Sequence, residues 1–225
     1  MEFIHTPKRI ELKDVFKVGD ENLIFHFLHS SKFSFREIYP KRQINSLYFD
    51  NFKHSSYENS IEGSSERTKT RIRWYGTKTK TNKASLEIKL KKGFYSWKII
   101  TENFYTVNPK ALRWDSFYLN NGFKPNIHTV NLNFLRPTSI VSYERSYFSN
   151  YDRNIRVTLD RNLVSFDQRL STHPSFLYKK NHHGLLILEV KADACHEDLV
   201  SSFIKDIPFS GRRFSKYCES LQEWY

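Results

Sequence analysis

Cysteine, long apolar runs and acidic side chains are all scarce in this sequence, and each shortage closes off a class of function. The two cysteines, Cys195 and Cys218, lack paired-ligand spacing, which excludes a disulfide framework and a cysteine zinc site. Both read as reduced thiols serving as small buried hydrophobes in a cytoplasmic protein. The opening MEFIHTPKRIELK is broken by charge, and no later stretch is long enough to span a bilayer. Any membrane association would therefore come through a membrane-protein partner. No Ser-His-Asp or Cys-His arrangement is evident, and there is no internal repeat. Acidic residues number 24 against 36 Lys and Arg, giving a formal charge of +12 and a pI near 9.6. That imbalance points to a polyanionic partner such as nucleotide, polyphosphate, nucleic acid or acidic lipid.

What is present is alternation. Within RTKTRIRWYGTKTKTNKASLEIKLKKGFYSW (67–97), Lys69, Arg71 and Arg73 share one parity while Ile72 and Trp74 take the other. Glu87, Lys89 and Lys91 likewise alternate with Leu86, Ile88 and Leu90. A period of two puts each set on one face of a sheet, one face apolar and the other ionic. A one-sided sheet facing water would show the same pattern. Its recurrence in RIELK (9–13), SYERSYF (142–148), RVTLD (156–160) and LEVK (188–191) suits instead a sheet curled round a charged interior. Periodicity does not say which side is concave.

Along the chain, Lys8–Lys17 reads as a strand and Val18-Gly19-Asp20 as a turn. Asp20 is placed to cap a helix over Glu21–Ser30, whose apolar side is Leu23, Phe25, Phe27 and Leu28. Strands follow at Arg42–Asp50, in the two central segments and at Tyr95–Asn103, with a helical turn at Ser55–Ile61 that Gly63 ends. Pro109 opens a helix running to about Asn120, and Phe123–Pro137 reads as a long surface connection. Strands resume at Thr138–Phe148, Asn154–Asp160, Leu163–Phe166 and Leu185–Ala192, with His182-His183 in a solvent-facing loop. Helices at His196–Lys205 and Gly211–Tyr225 close a single domain spanning 1–225.

Eight segments in order, RIELK, NSLYFD (45–50), KTRIRWYG (69–76), LEIKLK (86–91), YER (143–145), RVTLD, LEVK and RFSKY (213–217), resemble the VTC domain, the polyphosphate polymerase domain of the triphosphate tunnel metalloenzyme (CYTH-like) superfamily. The resemblance implies an α+β fold, a closed antiparallel β-barrel forming a tunnel of about eight strands, with helices packed outside. It implies transfer of the γ-phosphoryl group of ATP to a growing polyphosphate with release of ADP, in the presence of Mn2+ or Mg2+. By position it assigns phosphate handling to Lys13, Arg71, Arg73, Lys89, Lys98, Arg145 and Arg156. A C-terminal phosphate-binding group falls on Arg213, Ser215 and Lys216, with Tyr143 beside the phosphates. Glu189 is placed as metal ligand, with Glu11 a weaker second candidate whose alternative role is to orient a neighbouring Arg or Lys. Two departures stand out: Glu11 is the only glutamate in the first-strand motif, which disfavours a two-metal hydrolase, and position 213 is Arg where Lys is usual. The chain resembles a stand-alone version without the sensing and membrane segments of eukaryotic members.

The chemistry suits such a site. A polyphosphate end is already anionic and needs no strong base, so catalysis rests on alignment and charge neutralisation. Arg71→Ala or Arg145→Ala is accordingly expected to abolish turnover with little loss of folding. Two other classes remain open: a triphosphate hydrolase of the same superfamily, and a catalytically silent polyanion binder. Cations spread over many strands argue against nucleic acid as the partner. Nothing in the sequence specifies an oligomeric state.

Overall fold

The structure, a computed structural model, describes residues 3–5, 8–76, 84–93, 95–101, 113–114, 126–127, 130–131 and 134–222. Its elements are β1 (Phe3–His5), β2 (Arg9–Lys17), α1 (Glu21–Ser30), β3 (Arg36–Asp50), α2 (Ser55–Ile61), β4 (Glu66–Tyr75), β5 (Ala84–Lys92), β6 (Tyr95–Thr101), β7 (Asn126–Ile127), β8 (Val130–Asn131), β9 (Arg136–Ser149), β10 (Ile155–Asp167), β11 (Lys179–Asn181), β12 (Leu185–Asp193), α3 (Glu197–Lys205) and α4 (Lys216–Leu221). Antiparallel pairing runs β6–β2–β12–β10–β9–β3–β4–β5 and returns from β5 to β6, so the strand path closes into a ring. The junction of β2 with β6 is the thinnest, a single register pair of Arg9 and Ser96. β1 extends β6, β11 extends β10, and β7 pairs with β8 alone.

The outer face of the ring is apolar. Ile72 and Trp74 of β4, Leu86 and Ile88 of β5 and Ile99 of β6 cluster with Leu47, Phe49 and Ile140. On the other half, Val157 and Leu159 of β10 and Leu186, Leu188 and Val190 of β12 pack beneath Ile24 and Leu28 of α1 and Val200 and Phe203 of α3. Each such side chain contributes about 1.5–3 kcal/mol when fully buried. No described helix is long and apolar enough to cross a membrane.

Several boundaries differ from the sequence reading, for physical reasons. β3 begins at Arg36 instead of Arg42, because it crosses register shifts to keep pairing with β9. The two strands expected on either side of Arg161 are one bent strand, β10; its register shifts between Arg161 and Val164, where Asn162 takes φ of +54°. In α1 the buried positions are Ile24 and Leu28, whereas Leu23 is 47% exposed. Asp20 does not cap that helix; its carboxylate accepts from the Lys17 amide at 3.0 Å and closes the turn instead. The final helix starts at Lys216, and α4 abuts the inner side of the ring, whereas α1 and α3 pack outside. Phe123–Pro137 contains β7, β8 and the start of β9. The helix expected over Pro109–Asn120 lies almost entirely outside the described residues.

Candidate functional site

The alternation that turns apolar residues outward turns ionic ones inward. Directly opposed residues of an antiparallel pair project to the same side. Arg71 thus meets Glu87, Lys69 meets Lys89, and Lys89 meets Lys98. Across the ring Glu189 sits between Lys13 and Thr158, and Asp160 opposes Arg145.

Three linked clusters result. Glu87, 4% exposed, accepts from Arg71 Nε and Nη2 at 2.9 and 2.5 Å and lies 3.7 Å from Arg73 Nη1 and 3.3 Å from Lys98 Nζ. Glu11 receives Lys89 Nζ at 2.5 and 2.7 Å, and Lys13 Nζ bridges it at 3.0 Å to Glu189 at 3.4 Å. Glu189 also takes Lys191 at 2.7 Å and Arg145 at 3.2 Å. Arg145 makes a bidentate pair with Asp160 at 2.5 and 2.7 Å, and Lys216 reaches the same carboxylate at 2.5 Å. Tyr143 lies among them: Arg145 and Lys216 stand 5.4 and 4.7 Å from its ring centroid, and Arg73 Nη2 is 3.4 Å from its hydroxyl.

Cations outnumber acids on this face, and the titration behaviour records it. Burial alone would raise the Glu11 pKa, and Glu189 adds to that, but Lys89, Lys13 and Lys191 overcome both and hold it at about 2. Glu189 is held well below the usual carboxylate range in the same way, burial opposing and Lys191, Lys13 and Arg145 prevailing. Lys89 gains from Glu11, yet burial and the charges of Lys13 and Lys191 outweigh that gain and pull it to about 8. Water still reaches 33% of its side chain. Lys69 falls to about 8 through burial and the nearby Lys13 and Lys89. The clearest sign of an unfilled role is Arg73. Its side chain is 10% exposed and its Nε, buried, has no hydrogen-bond partner among the described residues. A buried guanidinium N–H left unbonded costs free energy, and an anionic oxygen would satisfy it.

Most of the residues singled out in the sequence therefore converge: Lys13, Arg71, Arg73, Lys89, Lys98, Tyr143, Arg145, Lys216, Glu11 and Glu189 share one face. Ser215 joins them by accepting from Lys69 Nζ at 2.7 Å, and it also caps α4 by accepting from the Cys218 amide at 3.3 Å. Arg156 and Arg213 do not converge. Arg156 is exposed at the rim near Arg9 and Asp193. Arg213 is exposed, with Nη1 lying over Gly63, where a Cβ would come within 2.7 Å of it. Lys69, Glu87, Asp160 and Lys191 were missed as site residues, although the same alternation marks them. Cys195 is exposed, not buried, because it falls in a turn before α3. His182 is 6% exposed, not solvent-facing; it bonds Ser165 Oγ at 2.9 Å and Glu219 at 3.3 Å.

No set of three or more His, Cys, Asp or Glu among the described residues is arranged to hold a metal. Glu11 and Glu189 are nonetheless neighbouring hard-oxygen donors, both within reach of Lys13 Nζ. Two carboxylates suit a small divalent cation whose remaining ligands are water and substrate phosphate.

The ring resembles known structures. A putative adenylyl cyclase from Hippeastrum, described as having a dominant triphosphatase activity, matches with a TM-score of 0.51 and 12% identity over 97% of this chain and 96% of that one. A putative adenylate cyclase from Vibrio parahaemolyticus matches with a TM-score of 0.51 and 11% identity over 96% of this chain and 98% of that one. At such identities the likeness concerns the fold alone. No curated protein matches the sequence. The VTC domain family matches residues 21–225, and with an inward ionic face built from the segments that resemble it, the chain belongs to that family.

Proposed function

We propose that this chain is a polyphosphate polymerase and that its ring is a closed barrel enclosing a phosphate tunnel. A terminal oxygen of polyphosphate attacks the γ-phosphorus of ATP, the bond from that phosphorus to the β–γ bridging oxygen breaks, and ADP leaves with the bond's electrons. The attacking oxygen is already ionised, so no side chain need remove a proton. The observation that carries this reading is Arg73, buried and short of a hydrogen-bond acceptor in an interior where cations exceed carboxylates. Arg71, Arg73 and Arg145 offer planar contacts to phosphate oxygens, and Lys13, Lys89 and Lys98 add point charge. Lys216 and Lys69, placed by α4 and β4, extend the same field toward Ser215. Arg156 and Arg213, both exposed, draw polyanions toward the ring. A divalent ion, Mn2+ or Mg2+, would be held by Glu189 and Glu11 and would supply neutralisation of phosphate charge.

The likeness to the Hippeastrum protein with triphosphatase activity favours a second reading, in which water replaces the polyphosphate acceptor on the same binding face. Incubation with ATP and Mn2+, with products sized on a gel, separates the two. Long polymer with ADP supports the polymerase, whereas orthophosphate without polymer supports the hydrolase. Salt-sensitive binding with no turnover would defeat both. Glu189→Gln is expected to shift the metal titration to higher concentration, and an unchanged titration would remove Glu189 from the metal site.

A further inference from the structure

Beyond the ionic clusters, further along β4 and β9 than Arg73 and Arg145, the inner face turns aromatic. Tyr75 lies two residues beyond Arg73 on β4, and Tyr147 two residues beyond Arg145 on β9. The two-residue period keeps each on the wall of its arginine, about 6.6–6.8 Å further along. Tyr39 of β3 pairs in register with Tyr147, their rings meeting edge to face at 5.8 Å and 88°. Arg42 lies among all three, its guanidinium carbon 4.9 Å from the Tyr39 centroid, 5.7 Å from Tyr147 and 6.0 Å from Tyr75. Among the described residues Arg42 has no carboxylate partner, unlike Arg71 and Arg145 below it. Tyr39 and Tyr75 are 50% and 51% exposed, so ring faces remain open to a ligand.

We infer that this tyrosine and arginine group is a stacking platform for the base of a nucleoside triphosphate whose phosphates lie among the cations below. The inference rests on the phosphate-binding reading above and adds the part of the substrate that reading leaves unplaced. A ligand that joins a row of anions to a planar aromatic group matches this order of surfaces, guanidinium groups first and ring faces next. Inorganic polyphosphate has nothing to offer the tyrosines. Stacking uses the π-face that every base possesses, so ATP and GTP are expected to bind alike.

The test compares ATP, GTP and inorganic tripolyphosphate by calorimetry on the wild-type chain and on Tyr39→Ala, Tyr75→Ala and the ring-preserving Tyr39→Phe and Tyr75→Phe. Each alanine variant should weaken ATP and GTP by about fivefold or more, leave tripolyphosphate unchanged, and be rescued by phenylalanine. Unaltered ATP affinity in both alanine variants, or equal losses for ATP and tripolyphosphate, would overturn the platform while leaving the phosphate site intact. Failure of the wild-type chain to bind tripolyphosphate at all would bring down the phosphate-binding reading and the platform together.

Discussion

Arg145 is at once a candidate phosphate ligand and the partner of two buried acids, and those roles have different consequences when it is removed. Asp160 is fully buried at 0% exposure and shares its oxygens between Arg145 and Lys216, while Glu189 also leans on Arg145. Arg71, by contrast, leaves Glu87 with Arg73 and Lys98 when it is lost. The expectation of little loss of folding is therefore kept for Arg71→Ala and replaced for Arg145→Ala by one of marked destabilisation. Breaking a buried ion pair from one side costs about 3–5 kcal/mol, because the remaining charge is left desolvated. Urea unfolding should show Arg145→Ala less stable by about 3 kcal/mol and Arg71→Ala by under about 1 kcal/mol; equal losses would mean Lys216 alone satisfies Asp160. Lys69 makes a second prediction at this scale. Its pKa falls from 10.5 to about 8 on folding, burial first and Lys13 and Lys89 after it, so between those values the unfolded chain binds more protons than the folded one. Its contribution to apo stability therefore rises with pH across that window. A bound polyanion restores the proton. Calorimetry with tripolyphosphate at about pH 8.5, in buffers of different ionisation enthalpy, should reveal proton uptake that shrinks in Lys69→Met.

α4 has six residues, too few to be helical without tertiary support, so its existence depends on what holds it. Tyr217 stacks on Tyr48 with ring centroids 5.1 Å apart and donates its hydroxyl to Asp50 at 2.7 Å. The same Asp50, 1% exposed, accepts from the Ser56 and Tyr57 amides at 3.0 Å each, satisfying the first turn of α2. One buried carboxylate thus ties β3, α2 and α4, and Glu219 adds a tie through His182 to Ser165 on β10. Tyr217→Phe removes a single charged hydrogen bond and should cost about 1.5–3 kcal/mol. Asp50→Ala strips both helices and should cost more, which thermal unfolding of the two variants would rank. Elements of this kind mark where the sequence became hard to read. The bounds of α1 and α2 and the ionic stripe of β4 were legible because the residues that set period and turn lie close together in the chain. Asp50 closing β3, His182 turning inward and α4 shrinking to one and a half turns were not, because their partners lie far away in sequence. The bend at Asn162 in β10 was hidden for the related reason that it reconciles two neighbouring strands at once.

For the molecule as a whole, the one fact that periodicity left open was which face would be concave: the pairs of β5 and β2 with β6 close the ring, and contacts that skip a strand, Lys89 with Glu11 and Arg73 with Tyr143, put the ionic face inside. Once closed, the ring gathers cations round too few carboxylates: Glu87, Glu11, Glu189 and Asp160 each already serve several partners, and Lys69 and Lys89 are pushed down to about 8. The empty protein therefore stores repulsion that an enclosed polyanion relieves. A ligand bound only by the folded state stabilises it by about 2.7 kcal/mol at a concentration one hundred times its Kd. For a chain of 225 residues that corresponds to an increase in Tm of about 5–10 °C. Tripolyphosphate should give this shift, and a good part of it should persist as NaCl is raised, because partly buried charges are screened far less than exposed ones. Cations lying on an open surface would give a smaller shift that fades steeply over the same salt range. Differential scanning calorimetry at rising NaCl distinguishes the two, and a shift that vanishes once the Debye length falls below about 8 Å would mean that the ring does not enclose its ligand.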